Sequence, residues 1–254
     1  MTSYNGVIFD ELGDVGNPTV EYADYQTAVY TANGMDGSVL SNFKRGATQI
    51  KFDLTLTGTE AERLEKMTTL ANCLNSPLGS LVLPGQDGSY FEASPHVTIT
   101  PARYIDGFTI PLTFIVPRGH ALGEEKTVTC NSTTPTAFEV GGIAPAIWTA
   151  EVDTASVHQV TLNVADNQAM NYPSRLIIPG PFESFAPLAA PAFIDADTRT
   201  TIGSKDVAPE YGAPLIGSTW PELTPGTWYI NAIVDGNENE PCEITLKYRE
   251  ALLW

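Results

Sequence analysis

A chain of 254 residues that is 43% apolar can bury sizeable cores, and its length suits one large domain or two of about 100 to 150 residues. A net charge of −17 argues against binding to a phosphate backbone, which needs a basic surface. No apolar run approaches the roughly 18 to 20 residues of a membrane span, and MTSYNGVIFDELGDVG lacks the basic and apolar parts of a signal peptide, so synthesis in a cytosol is expected.

The first 49 residues read as a strand at Gly6 to Phe9, a Gly- and Asp-rich loop through Pro18, and a strand over Tyr22 to Thr31. Gly34 and Asp36-Gly37 supply a tight turn, and Val39 to Phe43 leads inward from it. Ile50, Phe52, Leu54 and Leu56 then alternate with Lys51, Asp53, Thr55 and Thr57, which marks a central strand with one dry and one wet face. The period changes at Thr59, which forms a capping box with Glu62. Ala61, Leu64, Met67, Ala71 and Leu74 recur at helical spacing until Asn75-Ser76-Pro77 stops the helix. On this reading Leu64 packs against the sheet, and Leu64→Asp unfolds the first domain.

SLVLPGQDGSYFEA reads as a hairpin turning through Pro84 to Gly88. HVTITPARYIDGFTIPLTFIV reads as a second, turning at Asp106-Gly107, with Phe108, Ile110, Leu112, Phe114 and Val116 on one face. Pro111 has no amide to give to a ladder, which places this strand at an edge or on a bulge. Pro117 to Glu125 has no periodicity and reads as a linker. Beyond it the strands expected are Ala146 to Val152, Gln159 to Val164, Arg175 to Ile178 and Phe193 to Asp195, then a long pair from Trp228 to Val234 and from Ile244 to Tyr248. The expected fold is therefore mainly β, with two β-sandwich-type domains: residues 1–123, with one packed helix and long hairpins, and residues 124–254. The first carries 13 acidic and 7 basic residues, net −6; the second carries 17 and 6, net −11.

Chemistry is sparse. His96, His120 and His158 stand in separate segments, and Cys73, Cys130 and Cys242 are odd in number and far apart, so neither metal-ligand spacing nor a disulfide framework emerges. Asp235, Asn237 and Asn239 imitate the first ligands of a calcium loop, but Glu240 stands where that loop needs glycine and Leu246 where it needs glutamate. Asp195 and Asp197 are the carboxylates a glycosidase would use, without an identifiable partner across a cleft. No cofactor, metal or catalytic residue is expected. Trp148, Trp220, Trp228 and Trp254 all follow residue 123; Trp228 alternates with Ile230 and reads as core, whereas Trp220, beside Pro221, is the candidate sugar platform. Candidate oligomer contacts fall in the first domain: the turns at Asp36-Gly37 and Asp87-Gly88, with Thr109 and Pro111 on the proline-bearing strand.

The succession GMDGS, IKFDLTLTG, AERLEKMTTLANCL, GSLVLPGQDGSYFEA and FTIPLTFIVPRG resembles the N-terminal domain of siphophage distal tail proteins. FIDAD, WPELTPGTWYINAIV and CEITLKYREALLW, with its Tyr248-Arg249 pair, resemble that family's C-terminal galectin-like or carbohydrate-module-like sandwich. The Pro- and Ala-rich loop from Pro179 to Pro191 has no counterpart in the pattern. The resemblance implies a virion structural protein rather than an enzyme, assembled in the bacterial cytoplasm and placed at the tail tip. It implies a homo-hexameric ring joining the tail tube protein to tip and receptor-binding proteins, with DNA passing through the channel unbound. A carbohydrate-binding module that contacts host glycans is the alternative, and a glycosidase the third.

Overall fold

The computed structural model describes residues 1–22, 25–30, 39–97, 102–104, 107–131, 134–154, 160–171, 173–178, 192–195, 200–202, 219–234 and 242–253. These residues build two compact units, 1–122 and 123–253, and are mainly β, in several antiparallel sheets.

The first unit is organised on the Thr48–Leu56 strand, whose Ile50, Phe52, Leu54 and Leu56 are buried as the alternation requires. One side pairs without interruption with Gly107–Val116, from Phe108 opposite Leu56 to Val116 opposite Thr48. The other side pairs with the short strands Gly13–Val15 and Thr19–Glu21. Beyond Gly107–Val116 the sheet continues through Phe91–Pro95, Gly79–Val82, Ser3–Tyr4 and Val7–Ile8. Its core is aromatic: Phe114 stacks on Phe52 at 5.8 Å and meets Tyr4 at 5.0 Å, and the Tyr4 hydroxyl donates to the Ala93 carbonyl at 3.1 Å.

The Pro111 strand is not an edge and carries no bulge against Thr48–Leu56. On its second side Ala102–Tyr104 pairs with residues 107 to 109, and Phe91–Pro95 pairs with Phe114 and Ile115. Pro111 falls in the gap between these partners, where no strand among the described residues asks for the amide it lacks. The expected strand at Gly6 to Phe9 is shorter, Val7–Ile8, and runs into a single helical turn, Phe9–Leu12.

The principal helix spans Glu60–Leu74 with the capping box in place. The Glu62 carboxylate accepts from the Thr59 backbone amide at 2.7 Å, and the Glu62 amide donates back to the Thr59 hydroxyl. The buried face differs from the one the apolar residues suggest. Leu70 is the helix's fully buried residue, while Ala61 and Ala71 are exposed and Leu64 is 53% exposed. Arg63, Lys66, Met67, Cys73 and Leu74 share the sheet side as half-buried residues. Long cationic side chains can cover apolar surface with their aliphatic stems, so Arg63 and Lys66 do the work assigned to Leu64 and Ala61.

Two strands of this unit stand apart. Tyr25–Tyr30 and Val39–Arg45 form a two-stranded ribbon that joins no other sheet among the described residues, with a register shift between Gln26 and Ala28.

The segment expected as a linker is largely strand. Pro117 to His120 turns, but Ala121–Asn131 is one strand. Leu122 exchanges both backbone hydrogen bonds with Tyr90 in the first unit, at 2.7 and 3.0 Å. In the second unit Arg249 donates to the Gly123 carbonyl at 3.0 Å, and Lys126 pairs with Glu250 at 2.6 Å.

The second unit is a sandwich. One sheet runs Ala121–Asn131, Cys242–Leu252, Ile147–Thr154, Ala192–Asp195, Thr200–Ile202; the other runs Thr136–Val140, Gly226–Val234, Val160–Ala165, Ser174–Ile178. Trp148, Val152, Ile244 and Leu246 from the first sheet and Phe138, Val160, Leu162 and Ile230 from the second close one shared core. Tyr248 ties the sheets together: its ring meets Phe138 at 5.4 Å and its hydroxyl donates to the Glu139 carbonyl at 2.7 Å. No helix among the described residues is long and apolar enough to cross a membrane.

Candidate functional site

The titratable groups are placed as structural parts. Cys130 and Cys242 are buried in the sandwich core, and burial pushes the Cys130 thiol up to about 12. Cys73 is half-buried beside the first sheet and is pushed up to about 11 by the same cause. His96 is exposed and His120 half-buried, while His158 lies outside the described residues. No group of three His, Cys, Asp or Glu among the described residues is arranged to hold a metal. Asp195 ends the Ala192–Asp195 strand; Asp197, and the loop holding Asp235, Asn237 and Asn239, lie outside the described residues, as does the segment from Pro179 to Pro191.

Trp220 is half-buried and packs on the sandwich core, its ring 6.2 Å from that of Trp148. The Trp148 indole donates to the neighbouring Pro221 carbonyl at 3.1 Å, which pins the segment that carries Trp220. Trp228 also packs partly buried on the core, and its indole donates to the Thr224 carbonyl at 2.7 Å. Trp254 lies outside the described residues.

Of the expected oligomer contacts, Asp36 and Gly37 lie outside the described residues. Asp87 and Gly88 are exposed at the turn after Gly79–Val82, where Gly88 has a φ of 74°, a left-handed conformation that suits glycine. A shallow groove of about 590 Å³ runs beside this turn, lined by Leu78, Ser80, Val82, Ser89, Tyr90 and Glu92. Thr109 and Pro111 stand apart from it, in Gly107–Val116: Pro111 is exposed, and the half-buried Thr109 hydroxyl meets that of Thr55 at 2.9 Å.

Three features escape sequence reasoning. The outer face of the Glu60–Leu74 helix exposes Glu60, Ala61, Glu62, Leu64, Glu65 and Thr68. Both helix cations are engaged underneath: the Arg63 guanidinium lies 5.0 Å from the centre of the Phe108 ring, and Lys66 donates to the Thr57 carbonyl at 2.9 Å. The outer face is consequently acidic, and the Glu62 carboxyl is held below its ordinary range by the bond from the Thr59 amide and then by the Thr59 hydroxyl. Finally, Asn163 and Asn231 sit opposite each other, buried, with Asn163 donating to Asn231 at 3.0 Å. Only the Arg63 position carries a sequence signal, because it falls three residues before Lys66 and seven before Leu70, on one helical stripe.

The architecture defines a class: a first unit of one antiparallel sheet with a capped helix and, among the described residues, a separate two-stranded ribbon, then a two-sheet sandwich, in a single chain. Among solved structures it is similar to the distal tail protein Dit of phage SPP1, described as a paradigm of the hub adsorption apparatus in phages infecting Gram-positive bacteria. The TM-score is 0.72 at 17% identity, over 99% of this chain and 98% of that one, so the chain has the Dit fold through both units. Two structures of the phage P2 baseplate in its activated conformation, with Ca and with Sr, give TM-scores of 0.49 and 0.47 at 13% and 12% identity over 90% of each chain. No protein-family model and no curated protein matches the chain.

Proposed function

We propose that this chain is a structural, non-catalytic component of a siphophage or prophage tail tip, forming a homo-hexameric ring that joins the tail tube to the tip and receptor-binding proteins. Residues 1–123 form the ring and residues 124–254 the outer sandwich, with DNA passing through the channel without specific contacts. The observation that supports this reading is a structural match that runs end to end through both units. An acidic chain suits it, since a lining that repels phosphate lets DNA slide.

Negative-stain imaging of the purified full chain tests the proposal. Rings with sixfold symmetry and a central opening wide enough for duplex DNA are the expected result. Dispersed monomers that bind sugars on a glycan array would overturn it in favour of a carbohydrate-binding module.

A further inference from the structure

We propose that the outward face of the sheet built from Thr136–Val140, Gly226–Val234, Val160–Ala165 and Ser174–Ile178 holds a binding site for a neutral saccharide, centred on Asn163 and rimmed by Arg175. The inference goes beyond the ring reading and does not depend on it.

Alternation fixes which side chains meet there. Leu162, Leu176 and Ala232 enter the sandwich core, so their neighbours Asn163, Arg175 and Asn231 point outward. Register sets these three side by side across the sheet: Asn163 stands opposite Arg175 on one strand and opposite Asn231 on the other, at the roughly 5 Å spacing of cross-strand neighbours. Outward residues of a sandwich are ordinarily wet, yet Asn163 is 4% and Asn231 7% exposed, so the face is recessed at this row.

The row is unfinished. Asn163 donates its amide to Asn231 at 3.0 Å, and its own Oδ1 is buried without a donor. A buried acceptor left open costs free energy, and a ligand hydroxyl would close it. Arg175 is exposed at the end of the row, with its backbone held by Thr219: the Arg175 amide donates to the Thr219 hydroxyl at 2.9 Å, and the Thr219 amide donates to the Arg175 carbonyl at 2.7 Å. A planar guanidinium can donate to two adjacent hydroxyl oxygens at once. Half-buried Ile177, Thr161 and Ile233 flank the row on one side, and half-buried Tyr229 on the other. Apolar and aromatic walls around a few fixed polar groups suit the C–H face and hydroxyl edge of a sugar ring. Residues 124–254 carry a net charge of −11, which turns away phosphates and acidic sugars and leaves a neutral ring as the occupant.

The test applies the labelled full chain to an array of neutral and acidic oligosaccharides and reads the half-saturating concentration. Wild type is expected to bind neutral oligosaccharides, and Arg175→Ala to raise that concentration by about tenfold. The thermal midpoint of Arg175→Ala should match wild type, because Arg175 is exposed. Asn163→Ala is expected to weaken binding as well, and Lys247→Ala, on the other sheet, to bind as wild type does. Absence of binding to every neutral oligosaccharide would overturn the proposal, as would wild-type affinity in Arg175→Ala or in a folded Asn163→Ala. Binding confined to acidic oligosaccharides, or weakened equally by Lys247→Ala, would overturn it too, since general charge attraction would then be the cause. Rings seen by negative stain alongside any of these results leave the ring reading standing.

Discussion

The two units differ in how completely they close on themselves. In the sandwich, two sheets share one core, and both neighbouring tryptophans, Trp220 and Trp228, are drawn against it. In the first unit a continuous sheet wraps an aromatic core of Tyr4, Phe52 and Phe114, but its helix buries Leu70 alone and its ribbon joins no sheet among the described residues. Both units keep edge strands, but the first also has a helix with an exposed outer face and, among the described residues, a ribbon outside its sheet. The division proposed above, in which the first unit assembles and the second decorates, builds on this contrast.

The sharpest way to break this comparison is to remove its cores one at a time. Phe114 is fully buried between Tyr4 and Phe52, so Phe114→Ala is expected to cost about 3 to 5 kcal/mol. Three of the four tryptophans, Trp148, Trp220 and Trp228, belong to the second unit, so tryptophan emission reports chiefly on it. Urea unfolding of Phe114→Ala should show an early loss of far-ultraviolet dichroism with the tryptophan transition unmoved; a matching shift of the tryptophan midpoint would show that the cores are not separate.

Next comes the helix. Leu70→Ala should cost about 2 to 5 kcal/mol, because a fully buried leucine leaves a cavity. Leu64→Asp should stay within about 0.5 kcal/mol of wild type, since Leu64 is half in solvent. Chemical denaturation measures both. Equal destabilisation by the two would return the helix to the orientation its apolar spacing suggests.

How much of this was legible in the sequence follows from what each pattern encodes. Ile50 to Leu56 was readable because a strand with one wet face alternates in chemistry as well as geometry, and Thr59 with Glu62 because a capping box is local. The helix face was not, because apolar periodicity ignores the stems of Arg63 and Lys66. The strand from Ala121 escaped because Glu124, Glu125, Lys126 and Thr127 are all exposed and show no alternation. Pro111 misled because a ladder can be interrupted on one side and continuous on the other, a tertiary fact without a sequence mark. The contact of Trp220 with Trp148 left no sequence mark because the two lie 72 positions apart in the chain; the platform reading of Trp220 came from its proline neighbour.

A smaller effect sharpens the contrast at two glycines. Gly142, at φ 92°, faces the backbone of Ala251, and an added Cβ would collide with the Ala251 carbonyl. Gly85, at φ 83°, has open space around it. Gly142→Ala in the second unit is expected to cost about 1 to 3 kcal/mol and Gly85→Ala in the first only the lower end of that range. Thermal melts that rank them the other way would contradict a tightly closed second unit.

The smallest expected effect concerns the cap that holds the exposed helix in place. Thr59→Ala removes the hydroxyl that accepts from the Glu62 amide, a loss of about 1 kcal/mol. Glu62 gives the same device a pH dependence. Its folded pKa is lowered from 4.5, first by the bond from the Thr59 amide and then by the Thr59 hydroxyl. A carboxyl lowered on folding contributes stability above its unfolded value, and that contribution disappears as pH falls through the lowered folded value. The helix N-terminus should therefore fray at acid pH, with protection of the Thr59 to Arg63 amides falling below about pH 4.5. Hydrogen exchange followed from pH 6 downwards reads it directly. Thr59→Ala should shorten protection at all pH values and flatten this acid dependence; an unchanged acid profile in that variant would mean that the Thr59–Glu62 cap is not what the protons break.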